Sequence, residues 1–179
     1  MKTLRIASLK KLLMLLLILI SGLATYAMFA RWKVKQPYEV RFKGGKISGR
    51  FESLRADIRF DKAHPEGAKI SASIAAASIA TGFFIKNNHA KDALEAEKYP
   101  TISFTSTKVS RHGNAFEAVG NLTMKGVTKP VTIHFTFDDN GAGGVFKGGF
   151  TVRPRSFNIT RNGSPEQLAI MLVVPVSRG

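Results

Sequence analysis

From Tyr99 to Phe137 apolar and polar residues alternate in three successive runs. Ile102 and Phe104 alternate with Thr101, Ser103 and Thr105; Phe116, Ala118, Leu122 and Met124 share one parity; Val131, Ile133, Phe135 and Phe137 share another. Period-two alternation rich in β-branched and aromatic residues marks a strand with one buried face. His112-Gly113-Asn114 and Lys125-Gly126-Val127 are short turns, so the three strands are predicted to be antiparallel neighbours. The same pattern continues on both sides. Tyr38, Val40 and Phe42 alternate with charged residues, and Gly44-Gly45 ends the run. Between Ile47 and Phe60 the buried parity switches, from Ile47, Gly49 and Phe51 to Leu54, Ala56, Ile58 and Phe60, which predicts a bulge near Glu52-Ser53. Ile70, Ala72, Ile74 and Ala76 form the next inward row, and its alanines leave volume for either a cavity or a packed helix. Phe146, Gly148, Phe150 and Val152 form another row after the glycine-rich stretch Asp138 to Gly144, which reads as a flexible hairpin loop. Ala169 to Val176 is apolar on both faces, as expected of a last strand covered on both sides or closing against the first.

Thr81 to Tyr99 breaks the β pattern. Ala90 to Lys98 is rich in helix formers, with Asn87 or Asn88 as candidate cap and Pro100 as a stop. The chain thus reads as all-β: an antiparallel barrel of about eight strands, a short helical crossover, and an N-terminal hydrophobic helix.

That N-terminal helix is a second kind of pattern. Leu12 to Ala30 holds no charged residue, and 19 residues at helical rise span about 28 Å, close to a bilayer core. Lys10-Lys11 and Arg31-Trp32-Lys33 flank it, and Trp32 is placed to sit among lipid headgroups. We read residues 1–31 as a membrane anchor or signal segment and residues 32–179 as the barrel domain. The competing reading is a cleaved signal peptide with Thr25-Tyr26-Ala27 at the cleavage site. Both readings export the domain. The expected location is the cell envelope, anchored in a membrane with the barrel outside the cytoplasm, or free outside the cytoplasm after cleavage.

Composition changes this picture in two ways. The chain has no cysteine, so disulfides and thiolate metal sites are excluded. Of its net charge of +15, four belong to Lys2, Arg5, Lys10 and Lys11, which leaves +11 on the rest. Such a balance favours anionic neighbours such as phospholipid headgroups or pyrophosphate. No recognised nucleic-acid motif accompanies it, and the export segment argues against nucleic acid as a partner. The four histidines, His64, His89, His112 and His134, have no metal-ligand spacing, and no G-x-S-x-G elbow is present. Asp92, Glu95 and Glu97 stand near Lys91 and Lys98, a pattern of helix-surface ion pairs. Catalytic residues, metal sites and cofactors are therefore not expected.

Two runs, Glu97 to Val109 (EKYPTISFTSTKV) and Gly120 to Val131 (GNLTMKGVTKPV), resemble the signature segments of the YceI-like family of bacterial lipid-binding proteins. The resemblance spans roughly Trp32 to Arg178. It implies a lipocalin-like barrel, extended by a helical segment, that holds a polyisoprenoid chain. Relative to the family, the first connection is clipped to KGGK, Lys86 stands where arginine is common, and about two residues are missing after His89. Strand parity under this resemblance makes Phe51, Ile58, Ile74, Phe104, Phe116, Leu122, Ile133, Phe135, Phe150 and Leu172 the candidate lining. Lys86, Asn87, His89 and Arg155 are the candidate mouth residues.

The expected function is carriage or sequestration of a polyisoprenoid, isoprenyl phosphate or quinone-like lipid. The alternative is a solid barrel, phenylalanines packing its core, whose basic surface binds membrane or a partner protein; a homodimer is left open. On the anchor reading the mature protein keeps Met1 and partitions with inner membranes. N-terminal sequencing that finds soluble protein beginning near Met28 contradicts it.

Overall fold

Alternation becomes a ring of strands in the computed structural model, which describes residues 30–179. The expected N-terminal helix and almost all of the 1–31 segment lie outside the described residues. The strands are β1 (Arg31–Val34), β2 (Glu39–Gly44), β3 (Ile47–Phe51), β4 (Arg55–Arg59), β5 (Lys69–Ala75), β6 (Ile79–Ala80), β7 (Thr101–His112), β8 (Ala115–Met124), β9 (Val127–Asp139), β10 (Gly143–Val152) and β11 (Leu168–Arg178). The helix α1 (Phe84–Leu94) lies between β6 and β7.

Three pairs of short strands are single bent strands. β2 pairs with β3 and β1 with β4, while β5 continues the ladder beside β4 and β6 beside β3. The bend at Glu52–Leu54 is where the sequence switches parity. Counted this way there are eight antiparallel strands in consecutive order. β11 closes the ring, pairing with β2 through Ala169–Val173 and with β1 through Val176–Arg178. Closure is the role of that doubly apolar strand; its outer face is not covered, and Met171 is exposed. The barrel leaves no free edge along this seam.

The hairpin turns follow their residues. Lys125 and Gly126 both take positive φ, 50° and 72°, as a two-residue I′ turn requires. Gly126 is needed twice, because a Cβ there would meet the Tyr99 ring at 2.7 Å. Asp138 to Gly144 is not the loose loop expected. β9 and β10 run further, and the Asp139 and Asn140 side chains accept hydrogen bonds from the N–H groups of Gly141 and Gly143.

Two other expectations are corrected. Trp32 is not available to a headgroup layer: it is 3% exposed, and its Nε1–H donates to the Phe60 carbonyl at 2.9 Å. The helix also begins six residues before Ala90 and stops at Leu94. Glu95 takes a left-handed conformation (φ 48°, ψ 51°), and the Glu95 and Ala96 N–H groups close on the carbonyls of Asp92 and Lys91. Asn87 lies inside the helix, and its Oδ1 accepts from both the N–H and the Oγ1 of Thr81.

One end of the barrel is filled by aromatic rings. Phe60 is fully buried, with Phe116, Phe135, Phe137 and Phe146 at centroid distances of 5.0 to 5.5 Å. Trp32 packs edge-on against Phe137 at 4.9 Å. The Arg111 and Arg178 guanidinium groups lie over the outer rings, Phe116 and Trp32. Truncation of the central ring tests this plug. Phe60→Ala should cost about 3–5 kcal/mol in urea unfolding, whereas a loss below about 1 kcal/mol would show that the rings are not closely packed.

Candidate functional site

Above the aromatic plug the ring contacts thin out to one pair among the described residues, Phe42 and Phe51 at 5.7 Å. Inward positions there carry small side chains, Ala56 on β4, Ala72 on β5, Ala118 on β8 and Gly148 on β10, and the ring interior opens into a cavity of about 170 Å³. Ile74, Ile133, Phe150, Ile170 and Leu172 point inward yet are only half-buried, because they face unfilled space. Ser103 and Gly148 apart, every lining residue is apolar. Among the described residues no polar or charged side chain is fully buried, and the lining carries no charged group.

Glycines shape this space by letting rings lie flat. A Cβ at Gly120 would meet the Phe104 ring at 2.6 Å. A Cβ at Gly148 would collide with the Phe135 side chain and the His134 carbonyl.

Nine of the ten expected lining residues face the cavity: Phe51, Ile58, Ile74, Phe104, Leu122, Ile133, Phe135, Phe150 and Leu172. Phe116 does not. It points inward, but its register partner on β9 is Phe135 and its ring abuts Phe60, so it belongs to the plug. Other lining residues are not among the expected ones, including Leu54, Met124 and Val152, which share the inward parity of their runs, and Ile170. All but Leu54 lie on strands, and parity itself is the signal that finds Met124 and Val152.

The four expected mouth residues do not converge on the cavity. The Lys86 ammonium lies 4.8 Å from the Phe83 ring centroid, at the surface. Asn87 is spent on Thr81. His89 is exposed, and its carbonyl accepts from the Arg161 guanidinium at 3.2 Å. Arg155 sits exposed in the 3₁₀ turn Pro154–Phe157. Helical spacing alone could not show that Asn87 would turn back toward Thr81.

The open end is held together by Lys125 instead. Its ammonium contacts a Glu95 carboxylate oxygen at 2.9 Å and donates to the Asn158 carbonyl at 2.9 Å. One cation thus joins the β8–β9 turn, the end of α1 and the connection between β10 and β11. The Lys125 hydrogen bond, aided by the charges of Lys125 and Lys98 and opposed by partial desolvation, holds the Glu95 carboxyl below its ordinary value. Among the described residues no cluster of three or more His, Asp or Glu side chains is disposed to hold a metal ion. His112 and His134 flank Glu117 on the outer wall at 3.1 and 3.2 Å.

A family model described as the YceI-like domain matches residues 28–177. UPF0312 protein YE1254 of Yersinia enterocolitica is 31% identical over 138 residues, covering 73% of this chain and 72% of that protein. BcnA of Burkholderia cenocepacia superposes with a TM-score of 0.73 at 24% identity, over 77% of this chain and 95% of that one. A polyisoprenoid binding domain from Saccharophagus degradans, implicated in plant cell wall breakdown, superposes with a TM-score of 0.63 at 11% identity, over 84% and 99%.

A lowered carboxyl stabilises the fold above its unfolded pKa and ceases to do so as pH falls through the folded value. Amide exchange across Ala90–Ala96 should therefore accelerate several-fold, beyond the intrinsic pH effect, between neutral pH and about pH 3. Glu95→Gln should remove that pH dependence; an unchanged profile in the variant would contradict the clamp. In its matched span, its closed eight-stranded ring and its hollow upper half, the chain is a member of the YceI-like family.

Proposed function

We propose that this protein is an exported carrier that takes the apolar chain of a polyisoprenoid or similar lipid into its barrel. The observation that carries this reading is the cavity: about 170 Å³, apolar throughout save Ser103 and Gly148, and sealed at one end by the Phe60 rings. The Saccharophagus domain of the same fold, by its description polyisoprenoid binding, supports the ligand class. The apolar run Leu12 to Ala30 supports export.

The physics favours a hydrocarbon guest. Each buried CH₂ contributes about 0.8 kcal/mol before ordering costs. The volume is slightly larger than an engineered apolar void of about 150 Å³ that admits benzene. The resting cavity therefore suits the end of a chain, and a longer segment enters as the half-buried rings of Phe51 and Phe150 swing aside. With Ser103 the single polar side chain among the lining residues and no charged one, the head of the ligand stays outside. A groove lined by Lys129, Arg153, Ser156 and Gln167 meets the cavity wall at Val152 and offers a place for a phosphate or other polar head. A lumen without a buried polar group also supports binding rather than catalysis.

The solid-barrel alternative describes only the plugged end. Native mass spectrometry after gentle extraction tests the carrier reading, with a co-purifying apolar mass expected. Ala72→Phe, which fills the cavity between β4 and β7, should lower ligand occupancy at least about tenfold, a 1.4 kcal/mol effect, while the fold persists. Repeatedly empty wild-type protein, or undiminished occupancy in a folded Ala72→Phe variant, would overturn the reading.

A further inference from the structure

The open end carries an apolar cluster that the lumen does not use. Phe83, Phe84 and Ile85 are 65%, 78% and 69% exposed, far above any other large apolar side chain among the described residues. They are consecutive. Gly82, at φ +86°, turns the chain just before them, and Phe83 caps α1 without a side-chain hydrogen bond. The helix packs on the core through its far end, where Leu94 and Ala96 are buried and Ala90 and Ala93 meet the core, while its first turn is tied only through the Asn87 side chain to Thr81. Its first turn therefore projects into solvent as an apolar tip.

One cation stands at the tip, and others lie across the mouth at the same end. Lys86 stacks on Phe83. Lys129, Arg153 and Arg155 lie on the same end of the barrel, and all four are in no ion pair among the described residues. Two acids of this rim are already neutralised, Asp92 by Arg161 at 3.7 Å and Glu95 by Lys125 at 2.9 Å; Glu97 and Glu166 are not. Exposed aromatic rings beside lysine and arginine match the boundary layer of an anionic bilayer, where rings sink among acyl chains and cations meet phosphates.

We infer that Thr81–Lys86 is a membrane-docking tip that seats the open end of the barrel on an anionic phospholipid bilayer. The inference deepens the carrier reading and rests on it for purpose, since it brings the cavity to a source of lipid. The geometry adds a consequence. The Ala30 carbonyl accepts from the Phe60 N–H at 3.1 Å, so the chain enters the ring at the plugged end. The twelve residues of β7 separate the two ends by roughly 35 Å along the strand. If the apolar run before Ala30 is an anchor, it attaches at the plugged end, and the tip then addresses a facing bilayer rather than the anchoring one.

The absence of cysteine makes the test clean. Single-cysteine versions of the full chain, Asn88→Cys near the tip and Asn114→Cys in the hairpin at the plugged end, are labelled with a fluorophore. Each is held in nanodiscs of unbrominated lipid and mixed with brominated vesicles, either phosphatidylglycerol-rich or wholly phosphatidylcholine. The expected result is at least fivefold stronger quenching at position 88 than at 114, confined to the anionic vesicles and lost with Phe83→Ser plus Phe84→Ser. Equal quenching at both positions, quenching at 114 alone, or no quenching at either overturns it. So does a label at 88 that becomes buried with protein concentration before vesicles are added, which would assign the tip to a second copy. Native mass spectra of the same samples separate the two readings. Loss of docking with lipid still bound removes this inference alone, and quenching by a persistently empty barrel upholds docking while removing the carrier.

Discussion

The Phe60 ring is the constraint on which the rest of the molecule depends. It follows the last residue of β4, is fully buried, and touches four other phenylalanines drawn from β8, β9 and β10. Its carbonyl accepts from Trp32, and its N–H reaches the Ala30 carbonyl, so the same residue ties the first strand into the ring. Large rings fill a small barrel completely where they meet in register. With one end filled in this way, some of the remaining inward positions are free to be small, and four are: Ala56, Ala72, Ala118 and Gly148. Stability and hollowness are thus assigned to opposite ends of one set of strands.

The open end is built on a different principle. There, few large side chains meet, and the elements are joined by polar contacts at the rim. Lys125 links the β8–β9 turn to Glu95 and Asn158, and Arg161 links the β10–β11 connection to His89 and Asp92. Such contacts are weaker than ring packing and yield to solvent more readily. A mouth that must admit a long apolar chain benefits from that difference, since opening it disturbs no aromatic contact of the plug. Helix α1 shares the character: one end is docked through Leu94, and the other bears its apolar side chains outward.

Alternation made the fold legible. Phe104, Leu122, Ile133 and Phe150 could be assigned to one face because a strand between interior and solvent carries two chemically distinct sides. The parity switch after Phe51, read as a bulge near Glu52-Ser53, marks instead the break between β3 and β4. Alternation is uniform along a strand, however, and so says nothing about depth. Phe116 and Leu122 share a parity, yet one fills the plug and the other lines the cavity, because depth depends on which residues stand opposite across the sheet. The mouth was the least legible part. Its side chains sit on a helix and a long connection where no two-residue period applies. Asn87 spends its side chain on Thr81, and only folded geometry reveals that. The early start of α1 was hidden similarly, since Phe84 and Ile85 are poor signals for an exposed first turn.

A half-plugged barrel makes a direct physical statement about where empty space lies. Crystals of the ligand-free protein under xenon pressure measure it, because xenon occupies dry apolar voids and little else. Xenon sites bounded by Ala72, Ala118 and Leu172, with none among the rings around Phe60, is the result expected. A lumen without xenon along its whole length, or sites lodged between Phe60 and Phe116, would contradict the account.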